Sequence, residues 1–324
     1  MAQIQCIVTN LPWEAHHRAK LEAAAPGTEI LYVDPADMDA LRAALPKATV
    51  ALLGRLVDPK IAPDLQWLHL DAAGLDSIAK PGFIDSGFAI TGSAGRSAPA
   101  LAEHCFYFML THAYHNRTIL AAQAAHQWGY PGQNDMKALY SQTVGIIGMG
   151  NTGRALVPRA KAFEMRVIAY SRKAYKNPGI DVMLSEENGD SVDTLFRESD
   201  YIIMTAALTD KTYHMIDERA IGLMKPSAFI VNIGRGKTID EQALLAALKD
   251  GRIAGAGLDT FETEPLPPDS PVWDAPNLTA TPHFTPACPD KLGRSLDIML
   301  ENVRRYLADE PLINRLMPED KFSK

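Results

Sequence analysis

The sequence predicts an α/β protein built of two doubly wound parallel-sheet domains. Three observations carry that expectation. Short apolar runs alternate with helical patterns along most of the chain, as strands joined by crossover helices do. A glycine-rich turn, Gly148–Gly153, sits between an apolar run and an amphipathic segment. And 324 residues exceed what one ordinary core absorbs, at roughly 100–200 residues per domain.

Taken in order, Ile4–Thr9, Ile30–Val33, Val50–Leu53, Trp67–Leu70 and Ala89–Thr91 read as strands. Pro12–Ala24, Pro35–Leu45 and Pro59–Ala62 read as the helices or turns between them. From Pro99 to Trp128 no further glycine or proline interrupts an apolar pattern at helical spacing, which predicts one or two long helices opening at Pro99. His104, His112, His115 and His126 fall there. His112 and His115 lie one turn apart, but no acidic or cysteine partner is spaced to complete a metal site, so no metal is expected. A second series follows, with strands at Val144–Ile147, Arg166–Tyr170, Tyr201–Thr205, Phe229–Ile233, Ala254–Leu258 and Leu278–Thr281. Helices start near Asn151, Val192, Asp217 and Asp240. The last helix, Asp290–Ala308, is expected to return to the first domain, leaving that domain discontinuous.

The composition is that of a globular chain, 47% hydrophobic and 22% charged. A net charge of −7 argues against a nucleic-acid partner, which needs a basic surface. Cys6, Cys105 and Cys288 are scattered and odd in number, so neither a disulfide framework nor a zinc site is expected. The N-terminal segment lacks the pattern of a signal peptide, and no apolar run approaches a membrane span. A cytoplasmic location with no membrane partner is the expectation.

The glycine turn carries the first chemistry. Strand, G-x-G-x-x-G and helix follow one another at Thr143–Leu156, the context in which the motif binds a dinucleotide. Gly148 allows the tight turn, Gly150 lets the backbone approach a diphosphate, and Gly153 lets helix and strand pack closely. The diphosphate would sit on the amides and positive dipole end of the helix. The end of the next strand discriminates between cofactors. An NAD site usually places an acid there for the ribose 2′-hydroxyl. This chain has Ser171, Arg172 and Lys173 instead, which suit a 2′-phosphate, so NADP (NADPH) is expected in preference to NAD.

Three further segments end in polar residues just past strand candidates, where open α/β sheets place their ligands. They are Asn232-Ile-Gly-Arg235-Gly236, Leu258-Asp259-Thr-Phe-Glu262-Thr-Glu264-Pro265 and Thr281-Pro282-His283. An arginine fork binds a carboxylate, a histidine donates a proton near neutral pH, and a carboxylate beside the histidine orients it. That set would serve the interconversion of a 2-keto acid and its 2-hydroxy acid.

With these motifs in this order, the chain resembles the D-isomer-specific 2-hydroxyacid dehydrogenase family over nearly its whole length; ALLAALKDGRIAGAGLDTFETEPL is especially close. The resemblance implies a Rossmann cofactor domain, 99–289, inserted into a flavodoxin-like substrate domain, 1–98 plus 290–324. It also implies a homodimer, with a helical arm near 100–140 lying across the partner, and a site between the domains whose closure excludes water. By resemblance Arg235 binds the substrate carboxylate and keto oxygen, His283 is the general acid/base and Glu264 its partner. Ala73 and Gly74 grip the carboxylate through the backbone, with Asp76 a local cap. Leu53 and Arg55 line the side-chain pocket, Arg55 facing a second anionic group or solvent. Met149, Asn151, Thr152, Ala206, Ala207, Thr212, Ile233 and Asp259 join the glycines at the cofactor.

The chain departs from the family's usual pattern at Ala207, at Thr285 and at Asn151-Thr152. Glyoxylate-like or hydroxypyruvate-like substrates, taken in the reductive direction, fit NADP-preferring relatives. Relatives acting on formate usually carry glutamine where Glu264 stands, whereas oxidation of a small inorganic oxyanion would keep the glutamate. A non-enzymatic dinucleotide-sensing scaffold of the same superfamily would also keep the Arg–Glu–His set, and turnover separates it from an enzyme.

Overall fold

The structure, a computed structural model, describes residues 3–80, 82–284 and 288–323. The chain divides into two compact units, one made of Met1–Ser97 with Ala287–Ser323 and the other of Ala98–Pro286.

In the first unit the strands are β1 (Cys6–Thr9), β2 (Glu29–Tyr32), β3 (Val50–Leu53), β4 (Trp67–Leu70) and β5 (Ala89–Gly92). They form a 5-stranded parallel sheet in the order β2-β1-β3-β4-β5, the flavodoxin-like order. Alternate residues of each strand bury into opposite faces. Ile7, Leu52 and Trp67 pack with Leu21 of α1 (Ala15–Ala24) and with Leu296, Met299 and Val303 of the closing helix Lys291–Leu307. Val8, Leu53, Leu68 and Ile90 pack on the other face with Leu41 of α2 (Met38–Ala44). Each fully buried aliphatic side chain contributes about 1.5–3 kcal/mol. The closing helix thus covers one face of this sheet.

The second unit opens with α3 (Ala98–Ala113) and α4 (Asn116–Ala124), separated at His115, whose φ of +48° is left-handed. The long helical stretch is therefore two helices, and helical structure stops at Ala124 apart from a single 3-10 turn at Gln133–Asp135. The sheet comprises β6 (Thr143–Ile147), β7 (Arg166–Ser171), β8 (Val182–Ser185), β9 (Tyr201–Met204), β10 (Phe229–Asn232), β11 (Gly255–Leu258) and β12 (Leu278–Ala280). Its 7 parallel strands run β8-β7-β6-β9-β10-β11-β12, the Rossmann order with one added strand. Between them lie α5 (Asn151–Ala162), α6 (Asp193–Glu198), α7 (Glu218–Leu223) and α8 (Glu241–Lys249). Asp217 and Asp240 cap α7 and α8, accepting from the amides of Ala220 and Ala243.

The sequence reading omits β8. It is an edge strand, only half buried, whose apolar run is confined to Val182 to Leu184. Pro59–Ala62 proves to be a 3-10 turn at Pro59–Ile61. Among the described residues no helix is long and apolar enough to cross a membrane.

Candidate functional site

Strand order in the second unit reverses between β6 and β9, and the glycine turn sits at that point. Gly148 has φ +100°, and a Cβ there would lie 2.7 Å from the Ala206 amide nitrogen, so both conformation and space demand glycine. A Cβ on Gly153 would overlap the Gly148 carbonyl oxygen. Gly150 differs, because a Cβ there would meet nothing within 4 Å. The protein itself does not require that glycine, whereas a diphosphate lying against the backbone would. The Thr205 hydroxyl donates to the Gly148 carbonyl at 2.8 Å, tying the ends of β6 and β9 together. Arg154 donates to the Met149 carbonyl at 3.1 Å and lies over the Tyr175 ring. Asn151 and Thr152 form the first turn of α5, whose amides open toward this space. These features fit a dinucleotide.

Past β7, Arg172 and Lys173 are exposed, and the Ser171 hydroxyl turns onto the Lys173 carbonyl at 2.5 Å. The loop is braced from the end of β8, where Glu187 donates its amide to the Arg172 carbonyl and its carboxylate accepts from Ala174 at 3.2 Å. Sequence reasoning missed Glu187 because β8 itself was not seen. Ala206 and Ala207 follow β9, and the Thr212 hydroxyl donates to the Ala207 carbonyl at 2.7 Å, closing that loop. Ile233 is buried just past β10.

The ends of β10, β11 and β12 are neighbours, in register at Asn232–Leu258 and Leu258–Ala280. Arg235 follows the first, Asp259 to Glu264 the second, and Thr281 to His283 the third. Asn232 shapes the arginine loop, accepting from the Gly234 amide at 3.0 Å and donating to the Arg235 carbonyl at 3.0 Å. A Cβ on Gly236 would overlap the Phe261 carbonyl, so the arginine loop lies directly on the backbone leading to Glu264. His214 strengthens this seam, with its ring 2.9 Å from Glu262 and its amide donating to the Lys237 carbonyl.

Glu264 and His283 meet. One Glu264 oxygen accepts from the Phe261 amide at 2.9 Å, and the other lies 2.5 Å from His283 Nδ1. That contact holds the ring through Nδ1 and leaves Nε2 on its opposite side. Behind it Asp259, only 1% exposed, accepts from the Thr281 hydroxyl at 2.6 Å and from the Phe284 amide at 3.1 Å. Burial pushes the Asp259 carboxyl up, against the pull of Thr281 and the nearby histidines. Thr285 lies outside the described residues.

In the first unit Ala73 and Gly74 follow β4, and Leu53 ends β3. The Leu53 side chain is 2% exposed and belongs to the core, so the outward-facing part of that loop is Gly54 and Arg55. Gly54 is held by Asn10, which accepts its amide at 2.9 Å. Asp71, just before the Ala73 loop, pairs with Arg96. Asp76 opens a 3-10 turn, Asp76–Ile78. Of the four arm histidines, His112 stacks on Phe229 at 4.3 Å between ring centroids, and His115 forms the break before α4.

Residues 106–285 match the family model described as D-isomer specific 2-hydroxyacid dehydrogenase, NAD binding domain. A glyoxylate reductase of Korarchaeum cryptofilum is 33% identical over 301 residues, covering 89% of this chain and 86% of that protein. One from Pyrococcus furiosus is 35% identical over 280 residues, 81% of this chain and 80% of its own length. Among solved structures, an NADPH-dependent glyoxylate/hydroxypyruvate reductase from Sinorhizobium meliloti, in complex with NADP and sulfate, superposes with a TM-score of 0.78 at 25% identity. The match covers 96% of this chain and 98% of that one.

Proposed function

The chain belongs to the D-isomer-specific 2-hydroxyacid dehydrogenase family, and from that premise we propose that it reduces a small 2-keto acid, of the glyoxylate or hydroxypyruvate kind, to the D-2-hydroxy acid with NADPH. The observation that carries the reading is the Glu264–His283 contact at the ends of adjacent strands. Gly148 to Gly153, with Met149, Asn151 and Thr152, hold the diphosphate on the α5 amides. Ala206, Ala207, Thr212, Ile233 and Asp259 line the rest of the dinucleotide. Ser171, Arg172 and Lys173 take the 2′-phosphate, to which two adjacent cations are suited.

A reduced dinucleotide held by these residues would be the source of the hydride that C2 of the keto acid accepts. Arg235 pairs with the substrate carboxylate and polarises the keto oxygen. His283 delivers its Nε2 proton to that oxygen as it becomes an alkoxide, while Glu264 holds the ring through Nδ1. Ala73 and Gly74 are the backbone grip on the carboxylate, and Arg55, beside Leu53, reads any second anionic group. The substrate domain is 1–98 with 290–324, and the dinucleotide-binding domain is 99–289. The enzyme works in the cytoplasm as a homodimer.

The test is a panel of 2-keto acids assayed with NADPH and NADH, on the wild type and on His283→Ala. We expect NADPH to be preferred about tenfold or more, which one charge-assisted hydrogen bond supplies. His283→Ala should lose about 10²–10⁴-fold in turnover while still binding dinucleotide. A strong NADH preference would refute the assignment of Ser171 to Lys173. Wild-type turnover in the variant would refute that of His283.

A further inference from the structure

His283 is held in a conformation that its own chemistry does not favour. Its φ is +48°, in the left-handed region that a non-glycine residue enters only when its surroundings insist. Two hydrogen bonds close the turn. The His283 amide donates to the Thr281 carbonyl at 2.9 Å, and the next amide, Phe284, donates to Asp259 Oδ1 at 3.1 Å. Asp259 is thus the clamp on the peptide that follows the proton donor.

That clamp has a second support, from a helix rather than a strand end. The Thr281 hydroxyl oxygen is 2.6 Å from Asp259 Oδ1 and 3.3 Å from His104 Nε2 on α3. A buried carboxylate only accepts, so Thr281 must donate to Asp259, and its oxygen then accepts from His104. The direction of the chain is therefore fixed: His104 Nε2–H to Thr281 to Asp259. His104 is 4% exposed, and its other nitrogen, Nδ1, is buried with no hydrogen-bond partner among the described residues. Burial pushes the ring toward its neutral form. A neutral ring with its proton on Nε2 leaves Nδ1 as a bare acceptor, which matches that unpartnered position. The ring also stacks on Phe108 at 4.6 Å and touches Phe284 at 5.7 Å between centroids. Gly257 on β11 lets α3 come this close, because a Cβ there would overlap the Phe108 ring.

We propose that His104 is a positioning residue for proton transfer, its Nε2–H acting through Thr281 and Asp259 to hold the left-handed turn that presents His283. The inference rests on the reading of His283 as the proton donor. It separates two duties of His104, the packing of a flat ring and the donation of one hydrogen bond, and substitutions can remove them one at a time. His104→Phe keeps the ring without the donor. His104→Gln keeps a donor near the Nε2 position without the ring. Thr281→Val and Thr281→Ser repeat the contrast one link further on.

The experiment is steady-state reduction of the preferred keto acid by the four variants, with His283→Ala and thermal unfolding alongside. We expect His104→Phe and Thr281→Val to lose about tenfold in kcat with the keto-acid KM within about twofold, the pattern of a lost transition-state orientation. His104→Gln and Thr281→Ser should return to within about threefold of wild-type kcat, whatever their melting temperatures. Equal kcat in His104→Phe and wild type, or equal losses in His104→Phe and His104→Gln, overturns the proposal. If those results accompany a hundredfold loss in His283→Ala, only the His104 inference falls. Wild-type turnover in His283→Ala removes the underlying assignment and this inference with it.

Discussion

Gly150 and Gly153 belong to one motif, yet their surroundings give them different duties. A methyl group on Gly153 would press into the Gly148 carbonyl, whereas on Gly150 it would enter open space. Gly153→Ala should therefore destabilise the second unit by about 1–3 kcal/mol, the usual cost of overpacking. Gly150→Ala should fold within about 0.5 kcal/mol of wild type but bind dinucleotide roughly tenfold more weakly, as expected where backbone and diphosphate must touch. Denaturant midpoints and cofactor titrations on both variants check this, and equal binding by Gly150→Ala and wild type would count against it. The motif was legible in the sequence because each glycine has a backbone reason to be there. Arg235, Glu264 and His283 were picked from positions past strand ends, and the structure brings Glu264 and His283 together. His104 was not, because a histidine in an apolar helix reads as core until the fold brings β12 beside it. The left-handed φ of His283 has no signature in residue type at all.

Strands β4 and β5 carry a buried polar chain between them. Trp67 Nε1 donates to Thr91 at 2.8 Å, Thr91 lies 2.9 Å from His69 Nδ1, and His69 Nε2 lies 3.0 Å from Ser93. Ser93 spends its one proton on Asp71, so His69 Nε2 donates to Ser93, and Nδ1 of the neutral ring accepts from Thr91. Ser93 in turn bonds Asp71, which stays ionised despite burial because Ser93, the Arg96 charge and Ser295 hold it down. Protonating His69 would break this sequence at Thr91. Burial accordingly pushes the His69 pKa down to about 4 from 6.5, with Asp71 opposing and Arg96 assisting. A histidine depressed on folding contributes stability that is complete above pH 6.5 and is lost as pH falls toward about 4. The loss should reach about 3 kcal/mol. Denaturant unfolding of the first unit at several pH values measures it, and His69→Gln, which donates and accepts without titrating, should flatten the slope. An unchanged slope in that variant would show that other groups set it. Elements of this kind, with all-apolar or alternating runs, could be read from the sequence. The half-buried edge strand β8 was missed, and the break at His115 gives no warning in residue type, because its left-handed φ falls on a histidine rather than a glycine.

At the scale of the molecule, the segment from 107 to 140 stands apart. Tyr107, Tyr114, Leu120 and Tyr140 are each 49–61% exposed, and Trp128 is fully so. Between 107 and 140 the only acidic or basic side chains, histidines aside, are Arg117, Asp135 and Lys137, in a chain whose net charge is −7. Copies of a protein with the same net charge repel least where charge is sparse, and an exposed apolar surface there favours association; this segment offers both. An isologous pairing would bury the same aromatic side chains on both copies. The wild type should sediment as a dimer at micromolar concentration, and the double variant Tyr114→Glu, Leu120→Glu as a monomer. Each carboxylate would have to lose its water to enter the contact, at a cost of several kcal/mol that an interface of ordinary size does not recover. Because the glycine turn and the Glu264–His283 pair lie elsewhere in the sequence, the variant should keep its far-ultraviolet circular dichroism and its affinity for dinucleotide. A wild type that sediments as a monomer across the same concentrations would leave these aromatic side chains without the partner proposed for them.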